Sequence, residues 1–258
     1  MLASRTYSLK HKRAGRGTHG GESFVGVWRA MPLQLTKQPD DVPVITKAIL
    51  LIACYVLGGI PFGVVVGRVC RGVDIRRFGS GNIGFANALR TLGWAPSLLV
   101  FLGDTGKGFC AVGVMKWIGG AEHFAHPELW VLGAAVAVML GHVFSPFLRF
   151  RGGRAVLVSF GVLLGLSWLV ALSAFALWLV VAGVSHYISV ASMAGAASVP
   201  LLMWTFHPKQ TAYLWFSIIA ALVILLRHIP NLRRLWSGTE LRIGQTATET
   251  ARSSSDAG

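Results

Sequence analysis

The chain has few charged residues, and acidic residues are the scarcest of them. Only 13% of its 258 residues are charged, with 10 Asp and Glu against 24 Lys and Arg, whereas 53% are hydrophobic. The mean hydropathy is +0.60. Because a soluble globular domain carries about 25% charged residues, this composition excludes that class. The sequence predicts a polytopic membrane protein.

Cysteine is scarce too. The three cysteines, Cys54, Cys70 and Cys110, stand in or beside apolar runs, are odd in number and lack the spacing of metal ligands. These features argue against a disulfide framework and a cysteine metal site, so we interpret the cysteines as packing residues. We predict no metal and no cofactor.

The shortage of acidic residues leaves a formal net charge of +14. So large a positive charge is also typical of proteins that bind nucleic acid. Here, however, the basic residues stand in short loops between apolar runs, a placement typical of membrane topology. The sequence therefore predicts contact with membrane lipid and no nucleic-acid partner.

Both ends of the chain lack apolar periodicity. Residues 1–42 are polar, basic and glycine-rich and contain no apolar stretch of a signal peptide. Residues 241–258 are also polar. We expect two disordered tails around a transmembrane domain at 43–240. We also hypothesise that translation begins at Met31, so that 1–30 are not translated; native protein whose N-terminus precedes Met31 would refute this.

The apolar runs are close to the length of about 20 residues that a spanning helix needs. They lie at about 47–68, 93–118, 128–148, 155–184, 187–206 and 210–227. The fourth would form a helix of about 45 Å against a bilayer core of about 30 Å, so we expect a break near Gly165-Leu166-Ser167 and two crossings. Two crossings also put the basic C-terminal tail on the cytoplasmic side with the other basic loops. The prediction is an all-α protein with seven transmembrane helices and a cytoplasmic C-terminus.

A glycine-rich polar segment, GSGNIGFANALR, separates the first two apolar runs. Its glycines match GxGxxG, but no strand precedes them, so the dinucleotide-binding interpretation fails. The glycines let the backbone turn its N–H groups toward an anion, and Ser80 and Asn82 add donors. Asn87 and Arg90 share one face of the following helix. The segment is predicted to cradle a phosphate.

A second polar segment, GHVFSPFLRFRGGRAV, is expected at the same cytoplasmic face. Gly152 and Gly153 would let the chain fold back, so that Arg151 and Arg154 reach one phosphate. A loop that only anchors the helix is the alternative. His142 is interpreted either as a helix-end residue or as part of the site.

Two further features are polar. Asp104 and Lys107 lie inside the second apolar run on one helical face, where they form either a functional pair or a structural ion pair. The C-terminal segment RHIPNLRRLWSGTE either joins the site or lies on anionic lipid.

Taken in order, these segments resemble one family, the bacterial acyl-phosphate:glycerol-3-phosphate acyltransferases of the PlsY type. The likeness extends from about Tyr55 to Glu240. It is carried by YVLGGIPFG, GSGNIG with Asn87 and Arg90, Asp104 with Lys107-Gly108, GHVFSPFLRFRGG, the stretch from Ser189 to Ser192, and His228, Asn231, Arg234, Gly238 and Glu240.

The resemblance implies an enzyme of the bacterial inner membrane. It would move an acyl group from acyl phosphate to the 1-hydroxyl of sn-glycerol 3-phosphate, giving lysophosphatidate and phosphate without coenzyme A or metal, and it suggests coupling to an enzyme that produces acyl phosphate. The implied catalytic residues are His142, Asn231 and Glu240. The implied substrate- and phosphate-binding residues are Ser80, Gly81, Asn82, Gly84, Asn87, Arg90, Lys107, Arg151, Gly152, Gly153, Arg154, Ser192 and His228.

The chain also departs from the family pattern. Phe85 and Ala86 stand where the family usually has a small residue and threonine, and Arg151 and Arg154 stand where it has lysines. Ala155–Val158 replace the family's Gly-Val-Ala-Thr, and Ile229-Pro230 replace a charged pair. Alternatives to the implied activity are a paralogue with another acyl acceptor, a transporter or channel for a phosphorylated solute or organic anion, and a membrane scaffold. The absence of a repeated hydrophobic pattern in the two halves speaks against transport.

Overall fold

The computed structural model describes residues 42–121, 124 and 126–246, which all belong to the compact unit Lys37–Gly258. Regular structure within these residues is helical throughout, which confirms the predicted all-α class. The predicted N-terminal tail apart from Val42, the start at Met31 and residues 247–258 lie outside the described residues. The α-helices are α1 (Val44–Gly59), α2 (Phe62–Arg71), α3 (Phe85–Leu92), α4 (Trp94–Ala121), α5 (Pro127–Val143), α6 (Val156–Leu166), α7 (Trp168–Ser185), α8 (Ile188–Phe206), α9 (Thr211–Arg227) and α10 (Ile229–Trp236).

Several helices are long and apolar enough to cross a membrane. Two bent pairs also meet this condition, α1 with α2 at 42° and α9 with α10 at 48°. Pro61 and Pro230 stand at these bends, where proline lacks the N–H that would continue the helical hydrogen bonds. Counting each pair as one crossing gives up to six spans in the described part of the chain. The four unbent spans are Trp94–Gly119, Pro127–Leu148, Trp168–Ser185 and Ile188–Phe206.

The long fourth apolar run is broken where the sequence indicates. Helix α6 ends at Leu166 and α7 begins at Trp168, with the Ser167 hydroxyl accepting a hydrogen bond from the amide of Val170 at 3.5 Å. Helix α6 has 11 residues and so is about 16 Å long, about half of a bilayer core. A count of seven spans requires this short helix to cross as well, and it stays a prediction.

One contact indicates the direction of α6. His207 Nε2 lies 2.8 Å from the hydroxyl of Ser167, so the break between α6 and α7 is at the same end of the bundle as the turn that follows α8. The other end of α6 begins beside the arginine-rich turn that follows α5. Helix α6 therefore leads away from the arginine-rich turn toward the end of the bundle at which α8 ends.

Helices α4 and α6 pack with their backbones in close approach. A Cβ atom at Gly108 would overlap the carbonyl of Val158, and one at Gly161 would overlap the carbonyl of Thr105. Small residues at such positions allow membrane helices to approach closely. This packing holds the middle of α4, including its buried Asp104, against the wall formed by α6.

Distant polar segments meet at one end of the bundle. The guanidinium of Arg227 donates to the carbonyls of Gly152 and Gly153 at 3.0 and 3.1 Å. The guanidinium of Arg90 donates to the carbonyl of Leu241 at 2.9 Å, and the amide of Ile243 donates to the carbonyl of His186 at 2.9 Å. The last two bonds join Leu241 and Ile243 to the folded domain, although the predicted disordered tail begins at residue 241.

Candidate functional site

The glycine-rich loop is shaped by one buried amide side chain. Asn87 accepts a hydrogen bond from the amide of Ser80 at 2.9 Å and donates to the carbonyls of Ile75 and Asn82, both at 2.8 Å. These bonds use its oxygen and both of its N–H groups. Asn87 therefore holds the loop in place and is not free to bind phosphate, in contrast to the role implied by the resemblance.

The loop itself turns as its glycines predict. Gly79 and Gly81 have φ of 53° and 67°, in the left-handed region that glycine adopts without strain. Asn82 Oδ1 accepts from the amide of Gly84 at 2.9 Å, at the start of α3. Ser80 and Asn82 each line two cavities.

Gly152 and Gly153 form a short strap between α5 and α9. Their amides donate to the carbonyls of Val143 and His142, both at 3.0 Å, and their own carbonyls accept from Arg227. A Cβ atom at Gly153 would overlap the imidazole of His142. The strap therefore requires glycine, and its fixed backbone sets the directions of the arginines on either side.

Beneath the strap lies a buried charged cluster. Lys107 Nζ is 2.8 Å from Asp104 Oδ1, 2.9 Å from His142 Nδ1 and 3.0 Å from the carbonyl of Ile60. Because an ammonium only donates, Nδ1 of His142 accepts and the neutral ring carries its proton on Nε2. The side chains of Asp104, Lys107 and His142 are at most 4% exposed.

This cluster changes the interpretation of Lys107. Its ammonium has two hydrogen-bond acceptors and an ion-pair partner, and its side chain lines neither of the cavities found among the described residues. An ammonium inside the membrane must be paired, which explains why these contacts replace the substrate contact implied by the resemblance. Lys107 instead supports His142, and His142 supports the strap.

The C-terminal segment contributes a carboxylate that is already hydrogen-bonded to side chains of the protein. Glu240 accepts from Asn231 Nδ2 and from Arg234 Nε, each at 2.7 Å. Burial tends to raise the pKa of Glu240, but the hydrogen bonds from Asn231 and Arg234 outweigh burial and hold the pKa below its usual value. Glu240 is therefore ionised at neutral pH and positions Asn231 rather than accepting a proton.

Two polar atoms near Glu240 remain available. Asn231 Oδ1 is buried without a hydrogen-bond partner among the described residues. His228 Nδ1 is bonded to the carbonyl of Ile224 at 2.8 Å, which leaves its Nε2 free of that bond. Both side chains line the same cavity. Since an unpaired buried carbonyl oxygen is costly, the Asn231 oxygen is suited to accept a hydrogen bond from a substrate hydroxyl.

Two cavities meet at this site. One is apolar, about 700 Å³ in volume, and extends between α4, α6, α7 and α8; the other is polar, with a volume of about 1370 Å³. Ser80, Asn82 and Arg154 line both cavities. The geometry therefore suits a molecule with an anionic head and an apolar tail.

The polar cavity is strongly cationic. Asp74 supplies a carboxylate to its lining, and that group is paired with Arg76 at 2.6 Å. Burial, with a smaller effect of Arg234, lowers the pKa of Arg154 to about 10, so its guanidinium stays charged at neutral pH. So many cations around one space favour an anionic ligand. The arginines of the lining are Arg68, Arg76, Arg77, Arg149, Arg151, Arg154, Arg227 and Arg234.

Most of the residues proposed from the sequence lie at one cavity or the other. The apolar cavity is lined by Ser80, Asn82, Gly84, Asn87, Arg90, His142, Arg154, Ser192, His228, Asn231 and Glu240. The polar cavity is lined by Ser80, Gly81, Asn82, Arg151, Gly152 and Arg154. Gly153 and Lys107 line neither and act through their neighbours.

Several arginines that line the polar cavity were not among the site residues predicted from the sequence, and Arg76 and Arg227 are two of them. Arg76 was interpreted only as a topological charge, and the segment that begins at Arg227 was expected either to join the site or to lie on lipid. Both arginines line the polar cavity, and Arg227 also fixes the strap. The position of Arg76, four residues before Ser80, was the available indication. The sequence carried no sign that Arg227 would meet Gly152.

Ala155, directly after Arg154, has a strained backbone. Its φ of 61° and ψ of 13° lie in the left-handed region, and the residue is buried. In that region the backbone of a residue with a side chain is less stable than that of glycine by about 1 kcal/mol or more. We expect Ala155→Gly to raise the free energy of unfolding by about 1 kcal/mol, visible as a higher thermal unfolding midpoint in detergent.

Ala171→Gly is the matched control for that test. Ala171 is buried in the regular part of α7, where glycine is expected to lower stability by about 1 kcal/mol. An unchanged or lower midpoint for Ala155→Gly would contradict the strain argument.

A family model and the sequences of known proteins that resemble this chain carry the same description. The family model described as glycerol-3-phosphate acyltransferase matches residues 48–238. The glycerol-3-phosphate acyltransferase of Parasynechococcus marenigrum (strain WH8102) is 42% identical over 207 residues, which are 80% of this chain and 94% of the relative. That of Desulforamulus reducens is 40% identical over 204 residues, or 79% and 98% of the two chains.

Solved structures are similar as well. The crystal structure of PlsY (YgiH), an integral membrane glycerol 3-phosphate acyltransferase, in its glycerol 3-phosphate form matches with a TM-score of 0.70 at 33% identity. The match covers 77% of this chain and 96% of that one. The lysophosphatidic acid form matches with a TM-score of 0.68 at 32% identity and the same coverage.

Proposed function

The chain belongs to the glycerol-3-phosphate acyltransferase family, and we propose that it transfers an acyl group from acyl phosphate to the 1-hydroxyl of sn-glycerol 3-phosphate. It is a multi-pass membrane protein with acyltransferase activity. The proposed products are lysophosphatidate, an intermediate of phospholipid synthesis, and inorganic phosphate. The observation that carries the proposal is the meeting of an apolar and a cationic cavity at Ser80, Asn82 and Arg154.

Each cavity suits one part of the donor. The apolar cavity would hold the acyl chain, and the cationic cavity would hold its phosphate together with that of the acceptor. Arg154, at the boundary, is placed to bind the phosphate next to the acyl carbonyl, where a guanidinium can form two parallel hydrogen bonds. Ser80 and the backbone of the glycine-rich loop would add further donors.

The proposed reaction is a direct displacement. The 1-hydroxyl oxygen of the acceptor attacks the acyl carbonyl carbon, the bond from that carbon to the phosphate oxygen breaks, and the released phosphate takes the hydroxyl proton. Asn231 Oδ1 would accept a hydrogen bond from the attacking hydroxyl, and Glu240 holds Asn231 in place. Because acyl phosphate is already activated, orientation and stabilisation of negative charge can supply much of the rate.

His142 and His228 have different proposed roles. His142 supports the strap that carries Arg151 and Arg154, while His228 lines the apolar cavity near Asn231 and would contact substrate through Nε2. Ser192 would shape the cavity, since its hydroxyl donates to the carbonyl of Ile188 at 2.8 Å.

The location follows from the same proposal. We place the protein in the bacterial inner membrane, with the site and the C-terminus on the cytoplasmic side, where phosphorylated substrates are made. An enzyme that produces acyl phosphate would act immediately before it. The relatives support acyl transfer over transport of a phosphorylated solute, because those named above are acyltransferases.

The test is phosphate release from palmitoyl phosphate by the purified, detergent-solubilised protein. We expect release that depends on glycerol 3-phosphate, with lysophosphatidate formed in equal amount. Release without the acceptor would indicate a hydrolase, and absence of both products from folded protein would refute the proposal. Flux of glycerol 3-phosphate in proteoliposomes without acyl transfer would favour the transporter.

A further inference from the structure

One wall of the apolar cavity is formed by a row of aromatic side chains from four helices. Successive ring centroids are 5.9, 6.3, 5.2 and 5.9 Å apart. Contacts of this kind hold rings in defined orientations. We call this set the aromatic row; it consists of Phe85, Phe101, Phe160, Phe175 and Trp178.

Phe85 stands at the end of the row next to the phosphate-binding loop. It is the first residue of α3 and directly follows Gly84, which also lines the apolar cavity. Its ring contacts Trp94 and Phe101 edge-on, with centroids 6.4 and 5.9 Å away. Phe85 therefore lies where the polar loop gives way to apolar walls, and two neighbouring rings restrict its movement.

The apolar cavity is extended along α8. Along α8 the lining extends from Ile188 to Val199, a rise of about 16 Å. Leu163 and Ala174 also line the cavity and, like Val199 at its deep end, are buried. The first and last parts of an acyl chain would therefore contact different residues.

We propose that Phe85 is a specificity-determining residue that selects acyl donors without a substituent close to the carbonyl carbon. This inference rests on the proposed function, because it assumes that an acyl phosphate occupies the apolar cavity. A linear chain passes a ring held in place, whereas a methyl branch must displace it. One additional carbon in an apolar pocket changes discrimination by about 10- to 200-fold.

The deep end of the cavity should act on a different property of the substrate. A larger side chain at Val199 would shorten the space for the end of the chain without changing the space around Phe85. Branching near the carbonyl and chain length should therefore be controlled by separate residues.

The experiment compares kcat/KM for palmitoyl phosphate and 3-methylpalmitoyl phosphate at saturating glycerol 3-phosphate. We expect the wild type to prefer the linear donor by about tenfold or more, and Phe85→Ala to reduce that preference about tenfold with an unchanged KM for glycerol 3-phosphate. Phe85→Leu should give an intermediate ratio. Val199→Phe should shift the preference from palmitoyl to decanoyl phosphate and leave the branching ratio unchanged.

Phe109→Ala is the matched control, since Phe109 is 50% exposed on α4 and does not line the cavity. Its branching ratio should equal that of the wild type. An active Phe85→Ala protein with the wild-type ratio, or a wild type without preference, overturns the inference alone. If Phe85→Ala does not fold, Phe85→Leu decides by the same criterion. A folded wild type that transfers neither acyl group overturns the proposed function and the inference with it.

Discussion

Replacing Arg154 with alanine is expected to reduce kcat/KM for acyl transfer by at least about 100-fold. Among the described residues, Arg154 is the arginine that lines both cavities. It is largely removed from water, yet its pKa of about 10 keeps it charged at neutral pH. A charged group at such a boundary interacts strongly with a developing negative charge on the leaving phosphate. The measurement is steady-state transfer from palmitoyl phosphate to glycerol 3-phosphate.

Two variants make that test specific. Arg154→Lys keeps the charge but loses the planar fork of the guanidinium, so we expect a loss of about tenfold. Arg233→Ala removes an exposed arginine that lines neither of these two cavities, and we expect a change of less than about threefold. Activity of Arg154→Ala within threefold of the wild type would show that Arg154 does not bind the reacting phosphate.

Replacing Lys107 with methionine is expected to lower the free energy of unfolding by about 3–5 kcal/mol. The substitution leaves the carboxylate of Asp104, which is 2% exposed, without the ammonium that lies 2.8 Å away. It also removes the hydrogen bonds from Lys107 to His142 and to the carbonyl of Ile60. The thermal unfolding midpoint in detergent and the yield of folded protein both report this loss.

The double variant Asp104→Asn/Lys107→Met separates charge from packing. Without the buried carboxylate the penalty should largely disappear, so that the double variant is more stable than Lys107→Met. Lys116→Met, on the exposed side of the same helix, should cost less than about 1 kcal/mol. A Lys107→Met protein as stable as the wild type would be incompatible with a buried, paired cluster.

The acyl-transfer activity of the double variant is a second measurement, separate from its stability. Lys107 holds His142, and His142 lies beneath Gly153 in the strap that carries Arg151 and Arg154. We therefore expect stability to recover in the double variant while activity stays reduced. Full recovery of both would mean that the cluster has no part in positioning the strap.

The helices were predictable from short stretches of sequence. Apolar runs of spanning length gave the all-α class, and the run too long for one crossing gave the break at Ser167. Both inferences depend on local properties of a segment, namely the free energy of its transfer from water into lipid and the rise per residue of a helix. The left-handed turns of Gly79 and Gly81 followed equally from the glycine-rich sequence.

The sequence did not show which polar residues of the site bind substrate and which hold the protein together. Asn87 and Lys107 were expected to bind substrate, but their polar atoms are taken by backbone carbonyls and by side chains on other segments. Arg227 had no individual role in the prediction, yet it fixes the strap. Whether a buried polar group faces a ligand or a structural partner depends on hydrogen bonds between segments distant in sequence, which residue spacing does not specify. The joining of the apolar and cationic cavities at Ser80, Asn82 and Arg154 likewise arises from helix packing, because a cavity is the space that several elements leave between them.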